Sequence, residues 1–281
     1  MKEIAGRDAA ALLEACVRLV RESGDMIRAR WAAPSRIRHK GAIDLVTDTD
    51  LAVEAFLKEG LARILPGADF LAEESSAPEG PAADAPPCWI IDPVDGTTNF
   101  VHRIAQVSTS VALWADGAVQ LGVVNGPMLG DGGECFSALR GGGAFLNGEP
   151  VAVSRAEALT DALACTGFPY ELEGRLDLVL ERLRRVLPAT QGMRRLGSAA
   201  LDLAFVACGR LDVFYEDWLK PWDLAAGWLL VEEAGGCVSG LDGAPFRFGE
   251  ALLATNGRVH PAMVELLGPT LKAPFIAVQS A

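Results

Sequence analysis

Trp89-Ile90-Ile91-Asp92-Pro93-Val94-Asp95-Gly96-Thr97-Thr98-Asn99-Phe100 decides how the rest of the chain is read. The apolar run from Cys88 to Ile91 predicts a short buried strand. Pro93 disfavours helical backbone at Asp92, which puts that carboxylate in extended chain at the strand's end. Gly96 permits a tight turn, and Thr97-Thr98-Asn99 can open a helical turn with free N–H groups. Two carboxylates at one strand-to-helix junction repel unless a cation joins them, and helix-start N–H groups suit a phosphate. The segment points to metal plus phosphate. The same residues also fit a plain Asp-Gly turn with Asp95 as a helix cap.

At 281 residues, half of them hydrophobic, the chain can bury a large core as one domain or two halves. A formal net charge of -12 argues against a nucleic-acid partner, which would need a basic face. It leaves room for phosphorylated small molecules, because bound cations invert the local field. Six cysteines (Cys16, Cys88, Cys135, Cys165, Cys208, Cys237) form no C-x-x-C pair, which argues against zinc and against a disulfide framework. No apolar run reaches the roughly 18 residues of a membrane span, and no signal-like segment precedes Asp8. No membrane association and a cytoplasmic location are the expectation.

Outward from the central stretch, periodicity predicts a helix over residues 8–31 capped by Asp8. A polar-tipped loop or hairpin follows from Ile37, and then a second helix opening at Asp48-Thr49-Asp50 and closed by Pro66-Gly67. Phe70-Leu71-Ala72 reads as a strand leading into Glu73-Glu74-Ser75, and residues 75–87 as an exposed, mobile loop. Two hairpins follow, Ser108–Trp114 with Val119–Val124 and Glu134–Leu139 with Ala144–Leu146. From about residue 151 strands alternate with helices. Leu172–Leu187 is expected to bury Leu176, Val179, Leu180 and Leu183, Ser198 to cap Ala199–Cys208, and Asp223 to cap a helix running to Ala234. The expected division is 1–150, an N-terminal α+β half carrying the metal-binding motifs, and 151–281, a C-terminal α/β half completing the site.

Acids recur where elements end or begin: Asp44 to Asp50, Glu73, Asp92, Asp95, Glu216 and Asp223. Each alone has a dull explanation as a cap or a solvated loop residue. Together they resemble ligands converging on an oxygen-ligand metal, and the lack of His or Cys partners favours Mg²⁺ or Mn²⁺ over Zn²⁺.

Asp44-Leu-Val-Thr-Asp-Thr-Asp50, Glu73-Glu74-Ser75, Asp92-Pro-Val-Asp-Gly-Thr-Thr-Asn-Phe100 and Trp222-Asp-Leu-Ala-Ala-Gly227 resemble the inositol monophosphatase family, in the expected order and over about residues 8–267. The resemblance implies an α/β (α+β) fold, a layered αβαβα sandwich shared with fructose-1,6-bisphosphatase, usually dimeric and lithium-sensitive. It implies a first Mg²⁺ on Glu73, Asp92 and the Val94 carbonyl, a second on Asp92, Asp95 and Asp223, and a third, weaker one near Glu73. Thr97, supported by Asp50, would activate the attacking water, with Glu73 also counted among the catalytic residues. Gly96, Thr97 and Thr98 would meet the phosphate, and Gly197, Ser198, Ala199, Glu216 and Asp223 the substrate. Asp217-Trp218-Leu219-Lys220 departs from animal members, which carry His at the Lys220 position. The substrate implied is a small phosphorylated polyol, myo-inositol 1-phosphate above all.

Other phosphatase signatures fail. Asp48-Thr49-Asp50 resembles a haloacid-dehalogenase start but has Ala52 where Thr or Val is needed; Cys135 to Arg140 is one residue short of C-x₅-R. No G-K-[ST] occurs. Within the resembled family, Gly96-Thr97-Thr98-Asn99-Phe100 is the inositol-type form, with fructose-1,6-bisphosphatase or broader sugar-phosphate activity as the alternative. An accessory role alongside RNA polymerase, as some bacterial relatives have, is a third.

Overall fold

β1 (Glu3–Ile4) pairs with β2 (Arg7–Asp8), and the Asp8 side chain then accepts the Ala10 N–H at 3.2 Å and caps α1 (Ala9–Arg30). The computed structural model describes residues 3–31, 37–39, 45–268 and 270. β3 (Ile37–His39) pairs antiparallel with β4 (Leu45–Thr47); residues 40–44 between them, Asp44 included, lie outside the described residues. Thr47 caps α2 (Asp48–Ile64), so Asp50 is its third residue.

β5 (Asp69–Ala72) runs parallel to β6 (Cys88–Asp95), and α3 (Thr97–His102) follows directly. β7 (Ser108–Ala115), β8 (Ala118–Gly126), β9 (Glu134–Leu139), β10 (Gly143–Leu146) and β11 (Glu149–Val151) complete an otherwise antiparallel sheet in the order β11-β10-β9-β8-β7-β6-β5. Then come β12 (Leu163–Thr166), α4 (Leu176–Ala189), β13 (Gly192–Arg194), α5 (Ala199–Ala207), β14 (Val213–Glu216), α6 (Pro221–Glu233), β15 (Cys237–Gly240), β16 (Leu252–Thr255) and α7 (His260–Leu267). The second sheet has the order β13-β12-β14-β16-β15, parallel at β12 and antiparallel at β16.

Side-chain alternation explains the layering. In β6, Trp89 and Ile91 enter the core under α1 and α2, while Cys88 and Ile90 enter the core shared with α5 and α6. A sheet covered on both faces reads as a continuous apolar run, which is why Cys88–Ile91 shows no polar alternation. A third core joins Ala164, Val213 and Leu253 of the second sheet to Val186 of α4 and Met263 of α7. Three cores separate five layers, an αβαβα sandwich of mixed α/β class.

The structure corrects three local expectations. α4 turns Leu176 and Leu180 outward, at 48% and 43% exposure, and buries Arg182 and Val186 instead. The inner face is set by an ion pair of Arg182 with Asp217, so the leucine stripe that looked like a core is on the surface. Asp223 is not the cap of α6: Pro221 is the first helical residue, Lys220 the cap and Asp223 the third residue. The loop over 75–87 is largely exposed, yet Ala82 accepts from Trp114 Nε1 at 3.2 Å and ties it to the sheet. Among the described residues no helix is long and apolar enough to cross a membrane.

Candidate active site

The parallel pairing of β5 and β6 puts Glu73 and Asp92 at the same edge of the first sheet. Between Asp92 and Asp95 the β6–β7 register shifts, an irregularity that lets both aspartates belong to the strand's last turn of backbone. Asp92 Oδ1 accepts the Val94 N–H at 3.0 Å. Gly96 has φ +92°, and a Cβ there would stand 2.8 Å from the Gln106 carbonyl oxygen, so only glycine fits between this turn and its neighbours. The chain then enters α3 with Thr97 at its first position.

The N-termini of α2, α3, α5 and α6 meet this edge. Thr97 Oγ1 lies 3.0 Å from Asp50 Oδ1 and 3.1 Å from the Val94 carbonyl oxygen. Asp50 is fully buried and spends Oδ2 on the Thr47 N–H and hydroxyl. Ser198, the cap of α5, donates to Asp95 Oδ2 at 2.6 Å, and the Ala200 N–H reaches the same oxygen at 2.8 Å. Asn99 Nδ2 donates to the Gln106 and Leu196 carbonyls, both at 2.8 Å, fastening α3 to the Gly197 loop. Asp223 Oδ2 accepts the Lys220 N–H at 2.6 Å.

Glu73, Asp92, Val94, Asp95, Gly96, Thr97, Gly197, Ser198, Ala199, Glu216 and Asp223 line one cleft of about 660 Å³. Of the sequence-predicted residues, Asp50 lies behind Thr97, and Thr98 is exposed and outside the lining. Glu216 ends β14, and its carboxylate occupies the space where a Gly167 Cβ would be, 2.0 Å from Oε2. A side chain at 167 would evict it. Arg195, Arg175 and Lys220 stand on the rim, Arg175 over the Trp218 ring at 4.7 Å.

Electrostatics are dominated by like charge. Burial, then the neighbouring carboxylates of Glu73, Asp95 and Asp223, hold Asp92 well above the ordinary carboxylate range. Burial first and Glu73 next do the same for Asp223. Asp95 is pushed up to about 6 by burial, against the pull of Ser198 and the α5 amides. Asp50 also rises to about 6, again chiefly through burial, partly offset by Thr47. Glu216 is raised by burial and then by Asp202.

Asp202 itself was invisible as a site residue in the sequence. It is a lone acid in the apolar α5, 1% exposed, with Oδ1 unpartnered and the carboxyl pushed up to about 8 by burial and Asp95. Its signal was that isolation within Ala-Ala-Leu-Asp-Leu-Ala-Phe-Val-Ala.

Whether a metal fits can be judged from these donors. Among the described residues, no three His, Cys, Asp or Glu side chains are already closed around one point. Yet among the described residues these hydrogen bonds to Asp92, Asp95 and Asp223 fall on one carboxylate oxygen of each. Crowded acids that raise one another in this way need a cation, and oxygen-only donors suit a hard divalent one. The set fits such an ion and is gathered rather than closed.

Comparison with known proteins makes the chain a phosphoric monoester hydrolase. The model for the inositol monophosphatase family matches residues 8–272, and the chain belongs to that family. It is 40% identical to the inositol-1-monophosphatase of Synechocystis over 92% of this chain and 89% of that one. It is 38% identical to the Nus factor SuhB of Escherichia coli, over 90% and 94%. The crystal structure of the extragenic suppressor protein SuhB from Bartonella henselae superimposes with a TM-score of 0.85 at 36% identity, covering 92% and 98%.

Proposed function

We propose that this phosphatase hydrolyses myo-inositol 1-phosphate and related polyol or sugar monophosphates, with Mg²⁺ or Mn²⁺ at two or three positions. The observation that carries the proposal is the convergence of Glu73, Asp92, Asp95 and Asp223 on one cleft beside the Thr97–Asp50 pair. On this reading Glu73, Asp92, Asp95, Asp223 and the Val94 carbonyl would hold the ions. Bound there, the ions supply charge neutralisation at the phosphate and a water that ionises near neutral pH.

Thr97 would orient the attacking water through its hydroxyl, and Asp50, fixed by Thr47, would take the proton passed along Thr97 Oγ1. N–H groups of Gly96 and Thr97 would hold phosphate oxygens. Gly197, Ser198 and Ala199 would shape the alcohol side of the pocket, and Glu216 would accept from vicinal hydroxyls. No side chain is needed as a covalent nucleophile, so one in-line displacement with inversion at phosphorus is expected. Lithium sensitivity and a cytoplasmic location belong to the same proposal.

A homodimer is proposed as well, supported by Leu172, Leu176, Leu180 and Leu187 exposed along and beside α4. Replacing Leu176 and Leu180 by Asp should then yield monomers in sedimentation; an unchanged oligomer would remove α4 from the interface. Similarity to a Nus factor favours a second role, as an accessory of the transcription machinery. Co-purification of an Asp95→Asn variant with RNA polymerase would support a role independent of catalysis.

The test of the main proposal is phosphate release over a panel of inositol, sugar and nucleotide monophosphates and fructose 1,6-bisphosphate. Inositol and polyol monophosphates should lead, only with Mg²⁺ or Mn²⁺. A nucleotide or the bisphosphate far ahead of them, or turnover in excess chelator, would overturn it.

A further inference from the structure

α2 carries a second buried acid four residues after Asp50, on the same helix face: Glu54, 5% exposed. Both of its oxygens are committed to one turn. Oε2 accepts the Glu74 N–H at 2.9 Å, and Oε1 accepts the Ser75 hydroxyl. Lys58, one helical turn further on, places Nζ 3.5 Å from Glu54 Oε1 and donates to Ser75 Oγ at 2.7 Å. These bonds tie a carboxylate, an ammonium, a hydroxyl and a backbone amide into one knot.

The turn so held is the one that presents Glu73. On its inner side the Glu73 N–H donates to the Ile91 carbonyl at 3.2 Å, continuing the β5–β6 pairing past the end of β5. The Ser75 and Ser76 N–H groups both return to the Ala72 carbonyl, and Ser76 Oγ accepts the Ala72 N–H at 3.0 Å. Glu73 therefore sits between a sheet bond on its own N–H and a carboxylate bond on the N–H that follows. The two peptide planes that flank the Glu73 Cα are each held, one through the Glu73 N–H and the next through the Glu74 N–H.

We infer that Glu54 is a positioning residue for Glu73, holding the 73–75 turn so that Glu73 faces Asp92 across the cleft edge. The inference rests on the proposed reading of Glu73 as a metal ligand. It makes α2 a single strut serving two parts of the site. Asp50 supports Thr97, and Glu54 supports Glu73, from one rigid helix face. A desolvated carboxylate with both oxygens in use holds a turn more firmly than a solvated one, because its hydrogen bonds are stronger in the low local dielectric.

Removing a group that orients a ligand typically weakens metal binding about 10- to 100-fold. Glu54→Ala should therefore raise the Mg²⁺ dissociation constant, measured by calorimetry, by about that factor. The turnover number at saturating Mg²⁺ should return to within about threefold of wild type, since the ligands themselves remain. Ser75→Ala, a milder change at an exposed residue, should move the constant the same way by a smaller factor. Glu59→Gln, on the same helix but exposed and paired with Arg63, should leave it unchanged.

Hydrogen exchange in metal-free protein supplies the readout that does not depend on the ion. Faster exchange confined to the amides of residues 73–76 in Glu54→Ala upholds the clamp. A folded Glu54→Ala with unaltered Mg²⁺ affinity would overturn the inference. So would exchange that rises along all of α2, which would mark Glu54 as a prop for the helix. Wild-type protein that bound no Mg²⁺ would instead sink the proposed metal site, while the exchange pattern would still decide the clamp.

Discussion

α2 and α6 both enter the cleft by their N-termini, and in each the third residue is an aspartate reaching back to the cap residue's N–H. Asp50 Oδ2 takes the Thr47 N–H at 3.0 Å; Asp223 Oδ2 takes the Lys220 N–H at 2.6 Å. The local device is the same, and what faces the second oxygen differs. Around Asp50 the Thr47 hydroxyl doubles the hold and Oδ1 meets the Thr97 hydroxyl in a fully buried setting. Asp223 is partly exposed among Glu73 and Asp95, with no second anchor on the cap, because a lysine stands where α2 has threonine. Capping fixes where a carboxylate stands; on the proposed reading, the neighbour of its remaining oxygen would decide whether it manages a proton or a cation.

The largest expected effect separates the two aspartates by kinetics. Asp50→Asn should lower the turnover number by about 10²–10⁴-fold, the usual worth of a general base, while Mg²⁺ affinity stays within about threefold. Asp223→Asn should lose Mg²⁺ affinity and activity together, and Asp95→Asn should behave like it. Calorimetry beside initial rates checks the split. If Asp50→Asn weakened Mg²⁺ as much as Asp223→Asn does, the two helix starts would share one role and the comparison would fail.

A smaller effect concerns Glu216, whose carboxylate would, on the proposed reading, face the alcohol rather than an ion. Glu216→Gln should cost about ten- to a hundredfold in kcat/KM on myo-inositol 1-phosphate, the worth of one charged hydrogen bond, and spare an aryl phosphate without hydroxyls. Equal losses on both substrates would move Glu216 into the group with Asp223. Gly167→Ala, which would push the Glu216 carboxylate aside, should reproduce the selective loss.

How much of this could be read in the residues follows from how local each cause is. β6, its turn and the starts of α1 and α2 were legible because Pro93, Gly96, Asp8 and the Asp48-Thr49-Asp50 run act on their immediate neighbours, although the cap of α2 is Thr47 rather than either aspartate. The position of Asp223 was off by three residues because Pro221 is as good a first helical residue as Asp223 is a cap, and periodicity cannot choose between them. The outward leucines of α4 were misread because Arg182 takes the inner face, and its partner Asp217 is 35 positions away in sequence. Glu54 was missed for a related reason: its partners come from the turn after β5, so nothing adjacent in sequence marks it. Asp202 offered only its isolation in an apolar helix.

The smallest effect is on stability, and its sign follows from the raised acids. Asp50 rises from an ordinary 3.8 to about 6, and Asp223 lies well above its ordinary value. A carboxyl raised on folding contributes stability that is full below pH 3.8 and is lost as pH climbs through the folded value. Metal-free protein should therefore melt lower at pH 8 than at pH 5. Asp223→Asn removes one mutually repelling charge while its amide oxygen can keep the Lys220 N–H bond. Its metal-free melting temperature at pH 8 should exceed wild type by about 2–4 °C, near 1 kcal/mol for a domain of this size. Asp50→Asn should gain less, because it also loses the charge that holds both the Thr47 N–H and hydroxyl. Millimolar Mg²⁺ should raise wild type at pH 8 by mass action and leave Asp223→Asn nearly where it was. A wild-type melting temperature flat from pH 5 to 8 in chelator, or equal gains for the two variants, would mean that the cleft acids are relieved by neighbours rather than by an ion.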